Sequence, residues 1–417
     1  MEQNAPAKPE PHHDQRPARL ALVVLGLCFV LAALGRGAGE TFTVFLLPVS
    51  GTFGWDRAQV VSVYSIAALC TGLAAPFVGR LFDRSGPRAV YGIGLALLGA
   101  GFSAAAFAQE LWQLQACIGL AVGLGGTCLG TITGSLLLNR WFGPRLPAAL
   151  AVVASAAGAG VLLLVPLSQV LIDRYGWRGA YQILGGAMLA IAVPLLLLPW
   201  RRLAAGSGHA ARLAQSGAAG DLWTLRAAMR HHAFWALFGI FFFTAVGMFA
   251  ISVQVVTYLI EVGFPPLQAA TAWGFSGVLL LVGMLTVSWL DGLLGRRRAI
   301  LASYSLTVAG IVMLWALSRY PNIWLLGGFL ICFGSTMGSR GPLITAAAMT
   351  IFRGKSVGTI VGTISIGAGL GSAIGSWSGG LIHDFWQSYD PVFGFALASV
   401  LVGMTPFLVA PALRQGT

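Results

Sequence analysis

An arginine and a glutamate four residues apart, Arg36 and Glu40, stand in "ALGRGAGETF", inside a run from about residue 20 to 48 that holds no other charge. A spacing of four puts both on one face of a helix, within reach of an ion pair. A lone Arg deep in an apolar span costs about 2.5–3.5 kcal/mol on insertion scales, so Arg36 needs a partner or a polar cavity to face. Two readings stay open. In one, the pair is a fixed structural bridge. In the other, Glu40 is an exchangeable proton site: protonated, it frees Arg36 to hold an anion, and deprotonated, it competes for the same guanidinium. A second deep cation, Arg340, stands in "GSTMGSRGPLITAAA". The guanidinium is charged at any working pH and its planar fork matches a carboxylate, so two of them facing one cavity would make an anion site. Tyr258, Gln254 and Asn139 are candidate donors to substrate oxygens, and Glu261, near a span end, is a second candidate for proton coupling.

The elements that must carry these residues are set by composition. Of 417 residues 57% are hydrophobic and 9% charged, with 56 Gly and a mean hydropathy of +0.81. That lies outside soluble usage and describes an all-α integral membrane protein. The apolar runs number about twelve and are solidly apolar rather than alternating, which favours helices over barrel strands. The expected division is a tail at 1–19, a six-helix bundle at 20–200, a linker at 201–232, a second six-helix bundle at 233–413 and a tail at 414–417.

The formal net charge of +12 does not indicate nucleic acid, because its distribution follows topology. With the amino terminus in the cytoplasm, the outer loops hold only Arg57, Arg174, Arg178 and Arg319, and the spans hold Arg36 and Arg340. The remaining Lys and Arg are cytoplasmic, so the positive-inside rule puts both termini there, as in a multi-pass protein of a cell (inner) membrane. The five Cys fall in apolar runs without paired spacing and read as packing residues. No apolar run holds a His, which argues against metal or hydrolase chemistry, and no cofactor is expected. "GKSVG" at 354–358 lacks the context of a phosphate loop or a nucleophile elbow.

Landmarks repeat at a constant offset. "GW" at Gly54 and "GF" at Gly263 are about 209 residues apart, Asp83 and Asp291 about 208, and "GAG" at 158–160 recurs at 367–369. Equivalent positions in both halves point to duplication of a six-helix unit. Glycines spaced by four, at 119/123, 358/362 and 371/375, are read as seams where helix backbones approach.

The loop "GRLFDRSGPRAV" at 79–90 resembles the signature of the major facilitator superfamily, with Gly79, Leu81, Asp83, Arg84, Gly86 and Arg88 matching and "SWLDGLLGRRR" at 288–298, which holds Asp291, as a degraded copy. The resemblance implies twelve transmembrane helices in two pseudo-symmetric bundles. It also implies a monomer working by alternating access around a midplane site, with spans 1, 4, 7 and 10 around the cavity. Asp83 would cap a neighbouring helix as part of the cytoplasmic gate. "FGWDRAQV", "DRYGWRGAYQILGG" and "YLIEVGFPPLQAA" resemble the monocarboxylate and oxalate:formate branch, although residues 267–290 lack the arginine usual in its eighth span. The expectation is therefore a secondary transporter, not an enzyme, that moves a small organic anion, a monocarboxylate by resemblance, together with protons. A proton-coupled exporter of drugs or metabolites is the alternative, with a non-transporting sensor on the same scaffold behind it.

Overall fold

The computed structural model describes residues 16–142, 145–206, 223–352 and 357–409. The rest of the two tails, the centre of the expected linker and residues 353–356, which include the first three residues of "GKSVG", lie outside them. Every regular element among the described residues is helical. The principal helices are α1 (Arg16–Glu40), α2 (Phe42–Phe53), α3 (Arg57–Ala105), α4 (Gly123–Leu129), α5 (Thr131–Phe142), α6 (Leu146–Leu197) and α7 (His232–Ser252) in the first part of the chain. They are followed by α8 (Val255–Glu261), α9 (Pro266–Leu294), α10 (Arg296–Ala316), α11 (Ile323–Phe329), α12 (Arg340–Ile351), α13 (Val357–Trp386) and α14 (Asp390–Val409). Nine helical stretches among the described residues are long and apolar enough to cross a membrane, and Ile323–Gly334 is a shorter apolar helix. The chain is a multi-pass membrane protein.

Two of the nine are too long for one crossing. The 49 residues of α3 would extend about 74 Å at 1.5 Å per residue, against a hydrocarbon core of about 30 Å. The chain turns instead at Gly86, φ 75° and ψ 173°, and α6 turns likewise at Gly176, φ 69° and ψ 168°. This backbone region is open essentially to glycine alone, which explains the residue type at both turns. Gly295, φ 80° and ψ 153°, makes the corresponding turn between α9 and α10. The same offset seen in the sequence recurs in the turns: Gly86 and Gly295 lie 209 residues apart, as do the positive-φ residues Gly54 and Gly263.

Four apolar stretches are interrupted. The first breaks at Thr41 between α1 and α2, and the second at Gly130 between α4 and α5, after a π-helical turn over Gln115–Val122. The third breaks between α7 and α8, and the fourth between a π-helical turn at Leu330–Gly334 and α12. Broken helices expose backbone groups at mid-depth, a feature tolerated where the chain lines a cavity or is buried in protein.

Glycine sets the seams. A Cβ at Gly158 would collide with the Gly277 carbonyl where α6 meets α9, and one at Gly160 with the Ala33 carbonyl on α1. Gly371 and Gly375 pack on the Phe242 and Val246 carbonyls of α7, and Gly119 and Gly123 on Ile66 and Ala67 of α3. The expected seam at Gly358 and Gly362 does not form: both are exposed and a Cβ there would meet nothing within 4 Å. The reason lies in the divergence of α3 and α13. They touch at Gly72 and Gly369 and again at Ala58 and Gly380, then part toward the face that carries the 79–88 loop. That side is called here the motif face, and the opposite side the far face. The apolar crossings are not free of histidine, contrary to the sequence reading: His232–Glu261 begins at His232, and Gly358–Trp386 runs on to take in His383.

Candidate functional site

A cavity of about 430 Å³ lies between the first half of the chain and a wall supplied by α7 and α13. Among the described residues Arg36 is the one Lys or Arg that lines it, and Glu40 the one acid. Their side chains form an ion pair at 2.8 Å; the Arg36 side chain is 43% exposed, and that of Glu40 is 4% exposed. The guanidinium therefore faces the cavity while the carboxylate sits behind it. The Tyr64 hydroxyl on α3 donates to Glu40 Oε1 at 3.4 Å.

Local sequence explains how an arginine fits in this helix. Gly35 packs against the Gly126 carbonyl of α4, and Gly37 against Gly160 of α6. With no side chains on those two flanks, α1 comes close to both neighbours, and the face carrying Arg36, Gly39 and Glu40 is left toward the cavity. One residue beyond Glu40 the helix is interrupted, and hydroxyls occupy carbonyls around the break: Thr41 Oγ1 donates to the Ala38 carbonyl at 2.7 Å and Thr43 Oγ1 to the Glu40 carbonyl at 2.9 Å.

The other expected substrate contacts lie outside this cavity. Arg340 is 3% exposed at the start of α12 and turned onto α10. Its Nε donates to Ser303 Oγ at 3.0 Å, its Nη2 donates to the Ser303 carbonyl at 3.1 Å and to Thr307 Oγ1, and its Cζ lies 4.1 Å from the Tyr304 ring centroid. Arg340 Nη1 is buried without a partner. Tyr258 is buried and donates to the Leu314 carbonyl at 2.8 Å, with its ring against Tyr389 and Phe393. Gln254 is buried, with Nε2 3.5 Å from the Ala250 carbonyl, and Asn139 is exposed on α5. The structure thus brings together Arg36 and Glu40 but does not bring Arg340, Tyr258, Gln254 or Asn139 to them.

Glu261 is held at the far face by Arg57. Of the motif residues, Gly86 makes the turn, Gly79 is helical, and Asp83, Arg84 and Arg88 are exposed on the motif face; Asp291 is partly buried near the end of α9. Among the described residues no group of three or more His, Cys, Asp or Glu could hold a metal ion.

Sequence reasoning missed Tyr64, Phe249 and the α13 hydroxyls of Ser365 and Ser372, all of which line the cavity. Attention to spans 1, 4, 7 and 10 left out α3 and α13. A signal was present nonetheless: Tyr64, Ala67, Ala68 and Thr71 recur at helical spacing and share the cavity face.

Comparison with known proteins agrees with this architecture. The family profile described as Major Facilitator Superfamily matches residues 25–292. An uncharacterized MFS-type transporter, YcxA of Bacillus subtilis (strain 168), is 24% identical over 400 residues, covering 94% of this chain and 96% of the relative. Monocarboxylate transporter 4 of Rattus norvegicus is 27% identical over 388 residues, 93% of this chain and 82% of the relative. Monocarboxylate transporter 13 of Bos taurus is 25% identical over 391 residues, 94% of this chain and 89% of the relative.

Proposed function

The chain belongs to the major facilitator superfamily and is a transporter rather than an enzyme, and from that premise we propose that it moves a small monocarboxylate with protons by alternating access. Twelve spans in two six-helix halves follow if α3 and α6 each count as two crossings and α11 and α12 as one. The motif face, with both termini, is the cytoplasmic side of a cell membrane, as the distribution of Lys and Arg suggests.

One observation carries the substrate reading: among the described residues Arg36 is the sole Lys or Arg lining the cavity, and it is paired there with Glu40. A single fixed guanidinium suits one carboxylate, and the mostly apolar and glycine-lined walls suit a small organic body. Glu40 is the proton site. Ionised, it holds Arg36; protonated, it releases the guanidinium to the substrate, so that anion and proton load together. The names of the relatives point the same way. Arg340, in the other half, remains a proposed second cation of the transport path, and Asp83, Arg84 and Arg88 are proposed to close the motif face in the other conformation.

The test is uptake into proteoliposomes of labelled lactate, pyruvate, benzoate and a dicarboxylate, with and without an inward proton gradient. Accumulation of a monocarboxylate above equilibrium, lost when the gradient is dissipated, is expected. Glu40→Gln should keep exchange and lose gradient-driven accumulation; if accumulation survives, Glu40 has no part in coupling. Flux of cationic drugs without any carboxylate flux would favour the exporter reading.

A further inference from the structure

At the far face, polar side chains from the second half of the chain close on the start of α3. Asp384, near the end of α13, accepts from the backbone N–H of Arg57 at 3.1 Å and from that of Ala58 at 2.6 Å, one bond to each carboxylate oxygen. The first N–H groups of a helix have no partner within it, and the positive end of the helix dipole favours a carboxylate there. The Arg57 guanidinium, largely buried, donates through Nη2 to Glu261 and through Nη1 to the Tyr389 hydroxyl, and its Cζ stands 5.3 Å from the Tyr389 ring centroid. Burial pushes the Tyr389 phenol well up, so it serves as a neutral acceptor across any working pH. About two turns deeper along the same seam, Ser65 and Ser376 hydrogen-bond at 2.7 Å.

Each of these contacts joins α3 to α8, α13 or the turn after α13. The same two helices, α3 and α13, part toward the motif face beyond Gly72 and Gly369, and a Cβ at Gly358 or Gly362 would meet nothing within 4 Å.

We propose that Asp384, Arg57, Glu261 and Tyr389 form a latch that ties the two halves together at the far face, so that the cavity communicates with the motif face alone until the latch releases. Glu261 is thereby a gate residue rather than a coupling site. Asp384 is the keystone, since it holds backbone groups and needs no side-chain partner to be in place. The latch rests on the alternating-access reading but is independent of which substrate is carried.

Labelling tests it without any substrate. In a background with Cys28, Cys70, Cys117, Cys128 and Cys332 replaced, Ala68→Cys places a reporter in the cavity wall. A membrane-impermeant maleimide is then applied from each side of oriented proteoliposomes. The parent should label from the motif face, whereas Asp384→Asn and Glu261→Gln should each raise the far-face rate about tenfold and slow the motif-face rate, as expected for losing hydrogen bonds to a charged group. Arg57→Glu should behave like Glu261→Gln, and pairing it with Glu261→Arg should restore the parental pattern. Should Asp384→Asn fail to give monodisperse protein, Tyr389→Phe removes one acceptor only and should shift labelling in the same direction. Unchanged far-face labelling in folded variants, or a charge swap no better than Arg57→Glu alone, would overturn the latch. Latch-dependent labelling in a protein that carries no carboxylate would leave the latch standing and sink the anion reading instead.

Discussion

Arg36 can occupy an apolar span because three conditions meet at once: glycines on its flanks, a carboxylate one turn on and a cavity in front. Arg340 meets a different set. Hydroxyls and a carbonyl of α10 take most of its donors and the Tyr304 ring faces its charge, with no carboxylate paired to it among the described residues. The two arginines, which read alike in the sequence, thus stand in different surroundings. The same distinction applies to Tyr258. Its hydroxyl is spent on the Leu314 carbonyl, so Tyr258→Phe is expected to lower stability by about 1 kcal/mol in a detergent melt while leaving the KM for uptake unchanged. A large rise in KM with unchanged stability would return it to the substrate path. Charge and spacing alone made the Arg36–Glu40 pair legible; the hydrogen bond from the Tyr64 hydroxyl to Glu40 was not, because helical spacing groups Tyr64 with Ala67, Ala68 and Thr71 on one face without telling which helix that face meets.

Helix turns here are written in glycine. Gly86, Gly176 and Gly295 hold backbone angles that a Cβ disfavours, so Gly86→Ala should cost about 1–3 kcal/mol, seen as a lower melting temperature. Gly79→Ala lies in regular helix with nothing within 4 Å of a Cβ and should be neutral or slightly stabilising. Equal effects at the two positions would mean that the turn is not set by conformation. The motif glycine at 86 thus has a conformational reason visible without any gate. Breaks within the helices were harder to read. The sequence shows apolar runs across Thr41, Gly130 and residues 335–339, and hydropathy does not register a lost hydrogen bond.

The two halves of the molecule meet along close backbone contacts, α6 on α9 at Gly158 and Gly277 and α3 on α13 at Gly72 and Gly369. In lipid such contacts replace the hydrophobic drive, because the surrounding chains are as apolar as the helices themselves. Gly158→Ala should therefore force the α6–α9 seam apart and abolish uptake with a loss of thermal stability, while Gly394→Ala, with open space around it, should leave both unchanged. Uptake retained in Gly158→Ala would show that the seam tolerates separation.

By itself the sequence determined the class of molecule and the charged pair in the first span, and it showed landmarks repeated at a constant offset. These depend on composition, periodicity and spacing, which are local and survive any change of conformation. Only the tertiary structure decided which polar residues share a cavity, that Arg340 turns away from it, and that Asp384 caps a helix more than three hundred residues earlier. Those outcomes depend on how helices pack across the halves and on which face of the protein is closed, and packing between distant segments leaves no periodic trace in the chain.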